Sequence, residues 1–83
     1  MNDKKILELF KDGQREKAFK KLYSLYPKIE ILVLSKGGSK QDASDIFQEA
    51  LIILNRNLEK SDFKLTSSFY TYLYSVSRFI WKD

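Results

Sequence analysis

Between residues 39 and 58, apolar side chains recur every three or four positions: Ala43, Ile46, Phe47, Ala50, Leu51, Leu54 and Leu58. That spacing lays one stripe along an α-helix and does not suit a strand, whose period is two. Ser39 is placed to cap the helix, and Asp42, three residues on, predicts a capping box with Asp in the usual place of Glu. The same period governs the rest of the chain. From Asp3 to Lys11, Ile6, Leu7 and Phe10 share a face, with Asp3 as the expected N-cap and Gly13 as a left-handed C-terminal stop. From Gln14 to Ser35 the stripe is Ala18, Leu22, Leu25, Ile29, Leu32 and Val33. Pro27 inside it predicts a kink, or two helices with a short break, and Gly37-Gly38 ends the segment. Residues 59–67 read as a polar loop whose only large apolar members are Phe63 and Leu65. A last helix starts at Ser67 or Ser68. Phe69, Tyr72, Leu73, Val76, Phe79 and Ile80 fall on one face at 100° per residue, and Tyr70, Tyr74, Ser77 and Trp81 on another, with Arg78 beside them. No cap or stop signal precedes Asp83, so the expectation is a helix cut in mid-course and a chain that is a piece of something longer. The reading is all-α: a small bundle of three main helices plus a short N-terminal helix, in one domain over residues 1–83.

Length and composition narrow the chemistry. Eighty-three residues are enough for one small core, burying about 60–65% of the extended surface. A 43% hydrophobic share is too high for a disordered tail. The longest nearly apolar stretch, Ile29 to Leu34, contains Glu30 and falls far short of the roughly 18 residues that a membrane span needs. No apolar leader follows Met1, so a cytoplasmic protein with no membrane partner is expected. The chain has no cysteine and no histidine. That removes disulfides, thiolate metal sites, cysteine nucleophiles and the commonest general base. Binding, without catalysis, cofactor, metal or small-molecule substrate, is the expected kind of function. Residues 1–41 hold ten basic and five acidic side chains and residues 42–83 five and six, a bias of +5 against −1 that leans mildly toward a polyanion.

Three constellations bear on function. Asp42, Asp45, Gln48 and Glu49 lie at spacings of three and four near a helix start. They suit a solvated, dipole-favoured first turn, a docking surface for a basic helix, or a carboxylate pair for acid–base or Mg²⁺ chemistry. Phe63, Phe69, Tyr70, Tyr72, Tyr74, Phe79 and Trp81 are interleaved with Lys64, Arg78 and Lys82. They suit stacking of single-stranded bases, or a core with a covered continuation. Lys17, Lys20, Lys21 and Lys28 suit a solvated face or a phosphate track.

Taken in order, three stretches resemble region two of bacterial RNA polymerase sigma factors of the extracytoplasmic-function type. Gly13-Gln14-Arg15-Glu16-Lys17-Ala18-Phe19-Lys20-Lys21-Leu22-Tyr23 is similar to that family's opening G-D-x-x-A-F-x-x-L-Y, with Tyr26-Pro27-Lys28-Ile29 following. Ser39 to Leu51 contains Asp42-Ala43-Ser44-Asp45 and Gln48-Glu49, similar to D-A-E-D-x-x-Q-E-x-F. Phe69-Tyr70-Thr71-Tyr72-Leu73-Tyr74-Ser75-Val76-Ser77-Arg78 is similar to F-x-x-W-L-Y-x-I-A-R-N. The resemblance covers roughly residues 12–83, and its middle motif is the most specific.

The resemblance implies a transcription initiation factor domain that binds core RNA polymerase and helps recognise and melt the promoter −10 element. It implies docking on the clamp coiled coil of the largest catalytic subunit through Asp42, Asp45, Gln48 and Glu49, with Leu51, Ile52 and Asn55 nearby. For the −10 single strand it implicates Phe63 and Lys64 in the loop, then Tyr70, Tyr72, Tyr74, Ser77, Arg78 and Trp81. It admits an anti-sigma factor as a further partner, and it implies a C-terminal helix-turn-helix domain that these 83 residues do not contain. The chain departs from the pattern at several places. Ser44 stands where Glu is common, Asn55 where an aromatic is usual, Tyr72 for Trp and Phe79 for Asn, while Tyr70 and Ser75 stand where bases are frequent. The strand-reading face is therefore less basic than in typical members. Two rivals from other classes remain. One is a protein-interaction module of the same shape that touches no DNA. The other is a small phosphoryl-transfer or hydrolytic enzyme using the carboxylates and a metal, which would lack a Gly-rich phosphate loop.

Overall fold

The computed structural model describes residues 3–81, and among them every regular element is helical. The elements are α1 (Asp3–Lys11), α2 (Arg15–Leu22), a 3₁₀ turn (Tyr23–Leu25), α3 (Tyr26–Ser35), α4 (Lys40–Leu58) and α5 (Phe69–Ile80). No helix among the described residues is long and apolar enough to cross a membrane.

The stops between helices follow from local chemistry. Gly13 and Gly37 take the left-handed conformation, with φ of +77° and +90°. At the first, the Gln14 N–H reaches back to the Leu9 carbonyl (2.9 Å) and the Gly13 N–H to Phe10 (3.2 Å). At the second, Gly38 donates to Val33 (2.9 Å) and Gly37 to Leu34 (3.1 Å). These are paired Schellman closures, which occupy carbonyls that a helix end leaves without partners. The expected break near Pro27 takes the form of the 3₁₀ turn just before it. Pro27 itself sits in the first turn of α3, where its missing N–H costs no hydrogen bond.

Helix starts are equally local. The Ser39 hydroxyl accepts from the Asp42 N–H (3.0 Å), and the Asp42 carboxylate accepts from the Ser39 N–H (2.9 Å), which completes the predicted capping box. Ser68 caps α5 through the Thr71 N–H (3.0 Å). Asp3 does not cap α1 but is its first helical residue, and the position before it lies outside the described residues.

The apolar stripes meet in one core. Ile6 of α1, Ala18 and Leu22 of α2, Ile29 and Val33 of α3, Ala43, Phe47, Ala50 and Leu54 of α4, and Phe69 and Leu73 of α5 are all buried there. α4 is the longest helix and packs against both α3 and α5. Phe47 stands at the middle, with the rings of Tyr23 and Tyr26 edge-on to it at 5.2 and 5.4 Å. Truncating such a ring costs about 3–5 kcal/mol, comparable to the whole stability of a small domain. Phe10 joins α1 to α2 and α5, meeting Phe19 edge-on at 5.2 Å and Phe69 at 6.2 Å.

α5 departs from its expected face. Its innermost line is Phe69, Leu73 and Ser77, at spacings of four. Val76 and Ile80 are half-buried beside it, and Phe79, assigned to the core stripe, is 71% exposed. The 100° projection fails because tyrosine suits either face, so the pattern does not fix the helix's rotation. The helix also stops at Ile80 instead of running on. Trp81 turns to extended backbone (φ −85°, ψ 92°), and its ring lies on the glycine turn between α3 and α4. Lys82 and Asp83 lie outside the described residues.

Candidate functional site

α4 presents one side to solvent, and part of the expected acidic surface is there. Asp45 and Glu49 are exposed, and Asp45 accepts from the Gln41 amide (2.9 Å). Gln48 donates to the Ser44 hydroxyl (3.3 Å). Asp42 is half-buried and spends its carboxylate on the helix cap. Among the described residues no three His, Cys, Asp or Glu side chains come together as a metal site, so Asp42, Asp45 and Glu49 do not converge on an ion.

One turn further on, α4 and α2 frame a groove of about 380 Å³ lined by Phe19, Tyr23, Gln48, Leu51, Ile52 and Asn55. Four of the residues expected at a polymerase contact thus share one wall. Ile52 is 53% exposed and offers its whole side chain. Leu51 is only 7% exposed, because it belongs to the core and forms the floor of the groove. The side-chain amide oxygen of Asn55 (Oδ1) is buried without a hydrogen-bond partner. The opposite wall, Phe19 and Tyr23, was not among the expected site residues. Its signal was available: two aromatics four apart in an otherwise lysine-rich stretch that runs from α2 into the 3₁₀ turn.

The loop and α5 form a second region. Phe63 is half-buried, edge-on to Tyr72 at 6.0 Å, and lines a pocket of about 180 Å³ with Leu7, Phe10, Lys11, Arg15 and Leu58. The Tyr72 hydroxyl accepts from the Asn57 amide (2.6 Å), tying α5 to the end of α4. Lys64 is exposed on the loop. An exposed ion pair, Arg15 to Glu59 at 2.8 Å, crosses beside the pocket and contributes little because both ends are solvated. Tyr70 and Tyr74 pair with ring centres 5.8 Å apart, and Arg78 is exposed one turn beyond.

Two expected strand-reading residues lie elsewhere. Ser77 is fully buried and its hydroxyl has no partner, so it cannot touch a nucleic acid. The rotation of α5 toward the line Phe69–Leu73–Ser77 carries it inward. Trp81 is half-buried, with its indole nitrogen enclosed and unpaired and its ring against Gly38. Near the core, burial raises the Tyr26 phenol above its ordinary value of 10.0, helped by the hydrogen bond it donates to Glu30 (3.1 Å) and by that carboxylate's charge.

Comparison with known proteins adds one match. A family model described as sigma-70 region 2 matches residues 22–83, most of the chain. It begins at the last residue of α2, so the first of the three resembling stretches lies almost wholly outside it. No curated protein and no solved structure matches.

Proposed function

The chain belongs to the sigma-70 region 2 family, whose members take part in RNA polymerase binding and promoter melting during transcription initiation, and from that premise we propose how its surfaces divide this work. The α2–α4 groove docks on the clamp coiled coil of the largest polymerase subunit. Phe19, Tyr23, Leu51 and Ile52 supply the apolar floor and walls. Asp45 and Glu49 supply a negative rim that steers a basic helix into register. The loop and the exposed side of α5 take the −10 element as single strand through Phe63, Lys64, Tyr70, Tyr74 and Arg78, with Tyr72 holding Phe63 in place. The protein works by binding in the cytoplasm and catalyses nothing itself. The order and spacing of the three sequence motifs favour the extracytoplasmic-function type, with an anti-sigma factor as a further partner.

The observation that carries this reading is the groove. Gln48, Leu51, Ile52 and Asn55 line one cavity, next in sequence to the exposed Glu49, and neither tyrosine of the α5 pair lines it. The test is a titration of the chain against core polymerase, or its isolated clamp coiled coil, at two salt concentrations. Saturable binding that weakens with salt and is lost in Asp45→Lys is expected. No binding at micromolar concentration by a folded chain would refute it and favour an interaction module that kept the shape and lost the partner.

A further inference from the structure

α1 belongs to neither surface proposed above, yet it walls a hollow of its own. The pocket of about 180 Å³ is lined by Leu7, Phe10 and Lys11 of α1, Arg15 of α2, Leu58 of α4 and Phe63 of the loop. Leu7, Phe10, Leu58 and Phe63 are each half-buried, so the core does not use all of their apolar area. Ring contacts hold both aromatic walls, Phe10 against Phe19 and Phe69, and Phe63 against Tyr72. Two cations stand on the lining and no carboxylate does. Arg15 Nη1 donates to Glu59 at 2.8 Å, which ties the guanidinium to the end of α4 and leaves its other N–H donors without a partner among the described residues. Lys11 has no ion pair among the described residues. With Glu59 counted, the rim keeps one net positive charge. The Glu8, Leu9 and Phe10 carbonyls at the end of α1 already accept from Asp12, Gln14 and Gly13, so that helix end sets no open acceptors against an anion.

We propose that this pocket binds a small aromatic monocarboxylate, a benzoate-like molecule, with its ring among Leu7, Phe10, Leu58 and Phe63 and its carboxylate between Lys11 and Arg15. Size sets the first limit. An apolar cavity of about 150 Å³ takes one benzene ring. A pocket of about 180 Å³ therefore admits a ring with one small substituent and is too small for a nucleotide or the face of a helix. The walls favour a ring over an alkyl chain, because Phe10 and Phe63 offer edges and faces for aromatic contacts. The charges select the substituent. A guanidinium fork and an ammonium match a carboxylate, and one net positive charge suits a monoanion better than a phosphate dianion. The inference needs neither polymerase nor promoter DNA, so it stands or falls apart from the function proposed above.

The test titrates sodium benzoate into the full 83-residue chain at neutral pH and follows the backbone amides by NMR. Saturable shifts centred on Lys11, Arg15, Leu58 and Phe63 are expected, with a Kd of about 0.1–1 mM, the range open to a ligand of about nine heavy atoms. Benzyl alcohol keeps the ring without the charge, and acetate keeps the charge without the ring. Each should bind about tenfold or more weakly than benzoate. Lys11→Ala, at an exposed position, should weaken benzoate about fivefold and leave benzyl alcohol unchanged, and Lys11→Arg should keep most of the affinity. Phe63→Ala, in the loop, should weaken benzoate and benzyl alcohol alike. Circular dichroism confirms that each variant keeps the wild-type helix content. The proposal is overturned by any of four results: no saturation by about 10 mM benzoate, acetate binding as tightly as benzoate, shifts confined to the α2–α4 groove, or benzoate affinity unchanged in Lys11→Ala or in Phe63→Ala.

Discussion

Replacing Gly38 with alanine tests how closely α5 is seated on the turn between α3 and α4. Gly38 has no positive φ, so its backbone accepts alanine and only space decides the outcome. A Cβ there would lie 2.5 Å from a methyl of Val33 and 3.0 and 3.1 Å from two carbons of the Trp81 ring. Val33 is fully buried and has no room to retreat, so the turn at residue 38 must back away from it and the ring of Trp81, half-exposed at the helix end, must give way. Overpacking of this kind costs about 1–3 kcal/mol, against about 0.4–1 kcal/mol returned by stiffening the unfolded chain. The net expectation is a loss of about 1–2 kcal/mol, or a Tm lowered by about 5–15 °C for a chain of this size. Urea and thermal unfolding measure the loss. Emission of Trp81, the sequence's one tryptophan, should shift red as its ring leaves the turn. Gly37→Ala is the control. It has open space around its Cβ and a φ of +90°, so it should cost about 1 kcal/mol or more through backbone strain and leave the emission unchanged. Stability within about 0.5 kcal/mol of wild type and unchanged emission in Gly38→Ala would show that Trp81 does not rest there.

Three further outcomes follow from contacts described above. Ser77→Ala should raise stability by about 0.5–2 kcal/mol in chemical denaturation, because it removes a buried hydroxyl without a partner and improves helix propensity. The same variant should leave single-strand affinity unchanged, and a loss of affinity would mean that Ser77 reaches the surface. Ser39→Ala should destabilise by about 1 kcal/mol and fray the start of α4, seen as faster amide exchange at Asp42. Tyr26 favours its neutral form in the folded chain, so its contribution is intact below the ordinary value of 10.0 and is lost as pH rises through the higher folded value. Tyr26→Phe should therefore flatten the alkaline decline in Tm, and an identical decline in both proteins would remove Tyr26 from the account.

The parts of the fold legible in the sequence were those set by neighbours in the chain. The α4 stripe, the Ser39–Asp42 box, the Gly13 and Gly37 stops and the break before Pro27 each depend on residues within five positions of one another. The rotation of α5 was not legible. It is fixed by which side chains of α1, α3 and α4 receive it, and a helix containing five aromatic rings and two small serines gives no single apolar arc. Trp81 was misplaced for a related reason, since its seat is Gly38, far away in sequence and open only because it has no side chain. The groove was half-legible. Its α4 wall followed from the motif, whereas Phe19 and Tyr23 became a wall only once α2 lay beside α4.

The Phe10–Phe19–Phe69 cluster bears on where this protein can be cut. The matched region begins at Leu22, so a boundary drawn there would discard Phe10 and Phe19 together with the buried Ile6 and Ala18. Phe69, now enclosed, would open to water at the very start of the helix proposed to read the strand. Residues 3–21 are thus better regarded as an integral lining of the bundle than as a detachable segment. A chimaera that grafts residues 22–83 onto another protein should inherit the motif but a softened α5, unless its new neighbour offers a comparable pair of rings.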